Sequence, residues 1–127
     1  MKRQVIETLK APGSAGPASQ AIRHGELIFV GLQTGTDPAG GEPAGQGAAA
    51  QAHRALCNLQ AILEAASSSL AGALRVTVYL ADMGDFATVN EEYEHFFPAD
   101  PPARTTVAVS GLPGGALVGI EAVAHVH

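Results

Sequence analysis

Two charged side chains, Arg104 and Glu121, lie in segments that otherwise have the composition of β-strands. Arg104 precedes the β-branched run 105–109, and Glu121 interrupts the apolar run 118–124. A charge in such a strand is expected at a sheet edge, in an ion pair or in a functional cavity, because burying it unpaired is costly. The planar guanidinium of Arg104 suits a carboxylate ligand, since it donates two parallel hydrogen bonds. The carboxyl group of Glu121 could hold a water molecule and transfer a proton.

A structural role is open for the same two residues. Arg104 and Glu121 could pair with each other across adjacent strands and do nothing further. Residue types alone do not separate this ion pair from a site that binds a carboxylate metabolite.

The elements that carry these residues follow from hydrophobic spacing and turn signals. Apolar residues at helical spacing predict a helix over 48–66, and Asp82 and Asp85 are candidate N-caps for a second helix that Pro98 ends. Loops are expected at 11–17 and 35–47, and a hairpin turn at 24–26. Strands are predicted at 4–9, 18–23, 27–30, 74–80, 105–109 and 116–125.

The order strands, helix, strand, helix, strands predicts one α+β domain over 1–127, with two helices packed on one face of a mixed sheet. The segments 27–32 and 117–123 are apolar on both strand faces, so the second face also needs a cover. Self-association is the expected cover. The alternative is a monomer whose own loops fold over that face.

Composition narrows the possible partners. The formal net charge is -5 and the seven Lys and Arg residues are dispersed, which argues against a nucleic-acid surface. No apolar run is long enough to span a membrane, and the first nine residues contain no apolar signal core, so a cytoplasmic location is expected. Only His125 and His127 have metal-ligand spacing, and fraying of the chain end argues against a site there, so no metal site is expected. Cys57 has His53 one helical turn away, but a half-buried, unreactive thiol is the simpler interpretation.

Six segments, read together and in order, resemble one family over nearly the whole chain. They are Gly16-Pro17-Ala18-Ser19-Gln20, 29–33, 58–66, 85–93 with Phe96-Phe97, 102–105 and 120–124. This set resembles the Rid family, also called the YjgF family, of reactive-intermediate imine deaminases.

The resemblance implies a chorismate-mutase-like fold that assembles as a homotrimer, with the sheets forming an inner barrel and ligand clefts between subunits. The implied reaction is that of a 2-iminobutanoate/2-iminopropanoate deaminase. It hydrolyses reactive enamines and imines, such as 2-aminoacrylate, to a 2-keto acid and ammonia. No metal or organic cofactor is implied. Two alternatives remain on the same fold: a non-catalytic protein that binds or senses a carboxylate metabolite, and a ribonuclease or translation inhibitor, which the acidic charge disfavours.

The resemblance also implies roles for individual residues. Arg104 would hold the substrate carboxylate, and Glu121 would orient the attacking water and shuttle its proton. The backbone of Gly31 would approach the substrate closely, which a side chain would hinder. Asn90 and Thr106 would line the cleft, although a helix-surface residue and an ordinary strand residue would look the same.

Three positions depart from the family pattern. Ala18 stands where the family usually has an aromatic residue, and Val30 stands where a small polar residue is frequent. These two changes predict either a larger or less polar substrate than 2-aminoacrylate or a weak catalyst. Ser67 stands where a glycine often ends the first helix, which concerns a cap and not the chemistry.

Overall fold

The alternating apolar residues of the chain form one mixed sheet, and the two helical stripes form two helices. The computed structural model describes residues 2–14, 16–40 and 47–127. The helices are α1 (Ala48–Ala65) and α2 (Phe86–Phe96). The strands are β1 (Arg3–Ile6), β2 (Ala21–His24), β3 (Leu27–Thr34), β4 (Ala73–Leu80), β5 (Ala103–Ala108) and β6 (Val118–His125). The predicted α+β class and order of elements are confirmed.

Helix α1 supplies much of the core between the helices and the sheet. It packs against β3, β6 and α2, and the buried side chains of its stripe include Ala52, Leu56, Leu59, Ile62 and Leu63. It ends one residue before the predicted limit. Ser67 then adopts a positive φ of 65°, the left-handed conformation that glycine favours at this position.

The strand order β1-β2-β3-β6-β4-β5 places β5 at one edge of the sheet and β6 in its middle. The predicted turn is present, since Gly25 with a φ of 64° lies between β2 and β3, where His24 pairs with Leu27. β4 and β5 are the one parallel pair of the described sheet, and α2 makes the crossover between them. Arg104 therefore lies on an edge strand, and Glu121 lies on a central one.

The predicted first strand, 4–9, is too long, because β1 stops at Ile6. The backbone of Thr8 bonds a side chain instead of a strand: its N–H donates to Gln20 Oε1 at 2.8 Å, and its carbonyl accepts from Gln20 Nε2 at 3.1 Å. The second strand begins at Ala21 and not at residue 18. The hydrogen bonds of Gln20 thus replace the strand pairing that the alternating pattern predicted beyond Ile6.

The predicted caps of α2 are corrected in detail. Asp82 Oδ1 accepts a hydrogen bond from the Gly84 N–H and caps a short 3-10 turn, Met83–Asp85, that precedes the helix. Asp85 occupies the N-cap position of α2 without a side-chain hydrogen bond.

The remaining strands differ from their predicted limits at the ends. β3 continues to Thr34, β5 begins at Ala103 and so includes Arg104, and β6 begins at Val118. The predicted loops 11–17 and 35–47 contain no strand or helix in their described parts, and residues 15 and 41–46 lie outside the described residues.

The sheet face opposite the helices is open in the described part of the chain. Leu27, Phe29 and Val107 on this face are 40%, 45% and 38% exposed. The described loops do not cover these side chains. Self-association through this face remains a prediction.

Gly35 is required by packing where β3 meets the start of α1. A Cβ atom at residue 35 would lie 2.5 Å from the backbone oxygen of Gln51. We expect Gly35→Ala to lower the free energy of unfolding by roughly 1–3 kcal/mol, because neither backbone can yield cheaply. Gly111→Ala is the matched control, since a Cβ there meets nothing within 4 Å. Urea unfolding of both variants checks this, and equal midpoints would contradict the packing argument.

Neither helix within the described ranges is both long and apolar enough to cross a membrane.

Candidate functional site

Arg104 is held in place by side chains of α2. In the β4–β5 register it is opposite Val76, a buried residue of the helix-covered face, so it points toward the helices. Its Nη1 donates a hydrogen bond of 2.7 Å to Asn90 Oδ1. The guanidinium carbon lies 4.8 Å from the centroid of the Tyr93 ring and 5.7 Å from that of Phe86. These contacts orient a cation whose other N–H groups have no acceptor among the described residues.

Two buried hydroxyl groups accompany Arg104 without hydrogen-bond partners in the described part of the chain. They belong to Tyr93 and Thr106. Burial raises the pKa of Tyr93 to about 12, and the positive charge of Arg104 offsets part of that rise. Asn90, Tyr93 and Arg104 line a cavity of about 290 Å³ between α2 and β5. The side chain of Thr106 faces the same side of the sheet, since it is opposite Val78.

Glu121 lies on the other face of the sheet. It is opposite Thr77 of β4, and its Oε1 accepts a hydrogen bond of 2.7 Å from the Tyr79 hydroxyl. This hydrogen bond, with a smaller effect of burial, raises the pKa of Tyr79. Glu121, Tyr79, Arg75 and Phe29 line a cavity of about 430 Å³.

Gly31 lies beside Glu121 at an irregularity in β3. The β3–β6 register advances three residues from Val30 to Gln33 while β6 advances two, so Gly31 and Leu32 form a bulge opposite Glu121. A Cβ at Gly31 would meet only the Ser19 and Gln20 carbonyl oxygens, at 3.5 and 3.6 Å, which is ordinary contact. Packing within one chain therefore does not require glycine here, in contrast to Gly35.

Arg104 and Glu121 do not form an ion pair, so the alternative that they pair with each other is wrong. β4 separates their strands, their side chains leave opposite faces of the sheet, and each bonds another residue. The five predicted site residues form two groups. Arg104, Asn90 and Thr106 lie on the helix side of the β5 edge, and Gly31 and Glu121 lie at the β3 bulge. One chain therefore does not bring all five residues to one cavity.

Ala18 lies on the Gly31 side of this arrangement, and Val30 precedes Gly31 but has its side chain buried in the core opposite Ala122. Both line a surface cavity of about 520 Å³ together with Gly31 and Phe29. The small side chain at residue 18 thus leaves open space next to the bulge.

Sequence reasoning missed three side chains that contact the predicted site residues. Tyr93 and Phe86 lie in the segment predicted as the second helix, and both rings face Arg104. Tyr79 lies in the predicted strand 74–80, and it bonds Glu121. The contact between Tyr79 and Glu121 depends on the register of β4 with β6, and the sequence contains no signal for that register.

The other reactive side chains that the structure describes form no second site of this kind. His53 Nδ1 lies 2.7 Å from Glu92 Oε1, so its imidazole is engaged with α2 and not with Cys57. Within the described ranges, no three His, Cys, Asp or Glu residues are grouped closely enough to hold a metal ion.

Comparison with known proteins places the chain in a family. Residues 8–126 match the model of the family described as Endoribonuclease L-PSP. The human protein named 2-iminobutanoate/2-iminopropanoate deaminase is 44% identical over 122 residues, which are 96% of this chain and 89% of the human one. The RutC family protein y4sK of Sinorhizobium fredii is 49% identical over 118 residues, or 93% of this chain and 94% of that protein.

A solved structure has the same fold along its full length. It is E. coli TdcF with bound serine, which superposes with a TM-score of 0.92 at 37% identity and covers 98% of this chain and 99% of that one. The match to the family model spans almost all of the chain, and the identity to both relatives is far above what fold similarity alone requires. The chain therefore belongs to the Endoribonuclease L-PSP family, which is the Rid or YjgF family.

Proposed function

We propose that this protein is a hydrolase that deaminates reactive imines and enamines of 2-keto acids, releasing the keto acid and ammonia. A relative 44% identical to it bears the name 2-iminobutanoate/2-iminopropanoate deaminase, which supports imine deaminase activity in general. The observation that carries the proposal in this chain is the fixed guanidinium of Arg104. Asn90 and the Tyr93 ring hold it at a cavity while its remaining N–H groups stay available for a carboxylate.

The site is composite, formed where two copies of the chain meet. Arg104 and Glu121 leave opposite faces of one sheet, so a small imino acid cannot contact both in a single chain. The open sheet face, with Phe29 45% exposed, gives the apolar surface that association would bury. In the homotrimer, Arg104, Asn90 and Thr106 of one copy face Gly31 and Glu121 of its neighbour.

The chemistry needs one water and no cofactor. An enamine such as 2-aminoacrylate first takes a proton at its terminal carbon and becomes the imine. Glu121 then accepts a proton from water as the water oxygen bonds the imine carbon and the C=N double bond becomes single. The proton passes to the nitrogen and gives a carbinolamine. Glu121 then takes the hydroxyl proton and delivers it to the nitrogen, so that the C–N bond breaks, ammonia leaves and the carbon–oxygen bond becomes the keto carbonyl. Arg104 keeps the carboxylate fixed, so the imine carbon stays in reach of the water.

The substrate side chain lies toward Ala18. Ala18 lines the cavity of about 520 Å³ with the exposed ring of Phe29, whereas the Val30 side chain is buried in the core. A substrate with a longer or less polar side chain than 2-aminoacrylate buries apolar area against that ring. This supports the size preference through Ala18 and not through Val30.

Turnover of a panel of imino acids tests the proposal. Imines with small and bulky side chains are generated in situ, and keto acid and ammonia formation is followed with and without the protein. We expect faster decay with the protein, and kcat/KM that rises with the size of the side chain. Decay at the uncatalysed rate for every imine would contradict the activity and leave the non-catalytic binding alternative. A strong preference for 2-aminoacrylate would contradict the size preference alone.

The family description names an endoribonuclease, and this activity is the weaker candidate for the chain. A net charge of -5 opposes the approach of a polyanion, and RNA binding relies on cations placed along the phosphate backbone. Arg104, the cation best held in the described structure, rests on two aromatic rings in a cavity of about 290 Å³, which suits a single carboxylate.

A further inference from the structure

In the part of the chain that the structure describes, the proposed catalytic carboxylate of Glu121 has one hydrogen-bond partner, and that partner lies on a neighbouring strand. The Tyr79 hydroxyl of β4 donates to Glu121 Oε1 of β6 at 2.7 Å. Tyr79 is opposite Gly119 and Glu121 is opposite Thr77, so the two are diagonal neighbours on the open face. The contact is therefore built into the central strands of the sheet and not into a loop.

The hydrogen bond from Tyr79 gives the two carboxylate oxygens of Glu121 different roles. In the described part of the chain, Tyr79 is the only hydrogen-bond donor to Glu121, and it engages Oε1. The second oxygen is left to bind another molecule, and Glu121 lines the cavity of about 430 Å³. A glutamate side chain has several rotatable bonds, and a charge-assisted hydrogen bond to a rigid strand reduces the rotamers it samples.

We propose that Tyr79 is the positioning residue for Glu121: its hydroxyl holds one carboxylate oxygen so that the other oxygen faces the attacking water. The inference rests on the proposed function, because it gives Glu121 the water. Tyr79 acts through Glu121 and touches no reacting atom. Phenylalanine at residue 79 would keep the ring and remove only the hydroxyl.

A double-mutant cycle tests whether Tyr79 acts through Glu121. Tyr79→Phe is expected to lower kcat about tenfold with KM nearly unchanged, since one hydrogen bond to a charged group is lost. Glu121→Gln is expected to lower kcat at least about a hundredfold, because the proton acceptor is gone. In the Glu121→Gln background, Tyr79→Phe is expected to have no further effect. Independent effects that multiply would overturn the inference, because a merely structural tyrosine gives that result.

A second measurement checks the contact without using activity. With tyrosines labelled with ¹³C at Cζ, the resonance of Tyr79 is identified by its loss in Tyr79→Phe. The hydrogen bond to Glu121 raises the pKa of Tyr79, and the nearby positive charge of Arg75 lowers it to a smaller extent. Glu121→Gln should therefore lower the pKa of Tyr79. The pKa of Tyr93, which burial raises to about 12, should not change and serves as the internal control.

The outcomes separate the inference from the proposed function. If Glu121→Gln is inactive while Tyr79→Phe has the kcat of the wild type, only the positioning role fails. If Glu121→Gln keeps full activity, both the role of Glu121 and that of Tyr79 fail. A pKa of Tyr79 that Glu121→Gln leaves unchanged would overturn the inference whatever the kinetics.

Discussion

Replacing Arg104 with alanine is expected to lower kcat/KM for anionic imino acids by roughly a thousandfold, because two charge-assisted hydrogen bonds to the substrate carboxylate are lost. The change leaves Asn90 without its 2.7 Å partner and removes a cation from the face of Tyr93. Arg104→Lys keeps the charge without the planar fork and should recover only part of the loss. The rates are measured on imines generated in situ.

Arg75 provides the matched control for this prediction. It is the arginine that shares the cavity of about 430 Å³ with Glu121, and it has no ion-pair partner in the described residues. Arg75→Ala should leave kcat/KM within a few-fold of the wild type if Arg104 binds the carboxylate. A large loss of kcat/KM for Arg75→Ala alone would instead indicate that the substrate carboxylate binds on the open face of a single chain.

An uncharged substrate separates binding of the carboxylate from damage to the fold. An imine that lacks a carboxylate offers Arg104 nothing to hold, so wild type and Arg104→Ala should hydrolyse it at similar rates. Loss of activity on this substrate, or a lower unfolding midpoint for the variant, would indicate that Arg104 acts through structure.

The sequence predicted the fold where a local pattern determines the element. The stripe of Leu56, Leu59 and Leu63 defined α1 to within one residue, because burial on one helix face depends only on spacing. The end of β1 was not predictable from alternation. It depends on Gln20, which binds the backbone of Thr8 from twelve residues away.

The candidate site was predictable as a set of residues and not as an arrangement. Arg104 and Glu121 stood out as charges in apolar strands, and both strands exist. Their opposite faces follow from the register of β4 with β5 and β6, and a shift of one residue in either pairing would have reversed one side chain. The bulge that sets Gly31 beside Glu121 is likewise a property of pairing. Neither the strand register nor the bulge can be predicted from the patterns of a single sequence.

Because Arg104 and Glu121 lie on opposite faces of the sheet, a mixture of two inactive variants should regain activity at sites between copies. Arg104→Ala lacks the carboxylate clamp, and Glu121→Gln lacks the proton acceptor, so each variant alone should be nearly inactive. When the two chains assemble at random in equal amounts, a site between copies is intact if its Arg104 comes from one variant and its Glu121 from the other. In a mixed trimer one of the three sites meets this condition, whichever variant contributes two chains, so trimers that contain both variants should show about a third of the wild-type activity.

The experiment uses chains with two different tags, co-expressed and purified through both tags in turn, so that every oligomer is mixed. Light scattering gives the number of copies, for which a trimer is expected. Co-expressed wild-type chains with the same tags set the reference activity. Mixed oligomers without activity would require Arg104 and Glu121 to act from one chain, which their opposite faces do not permit. That result would therefore contradict the composite site between two copies.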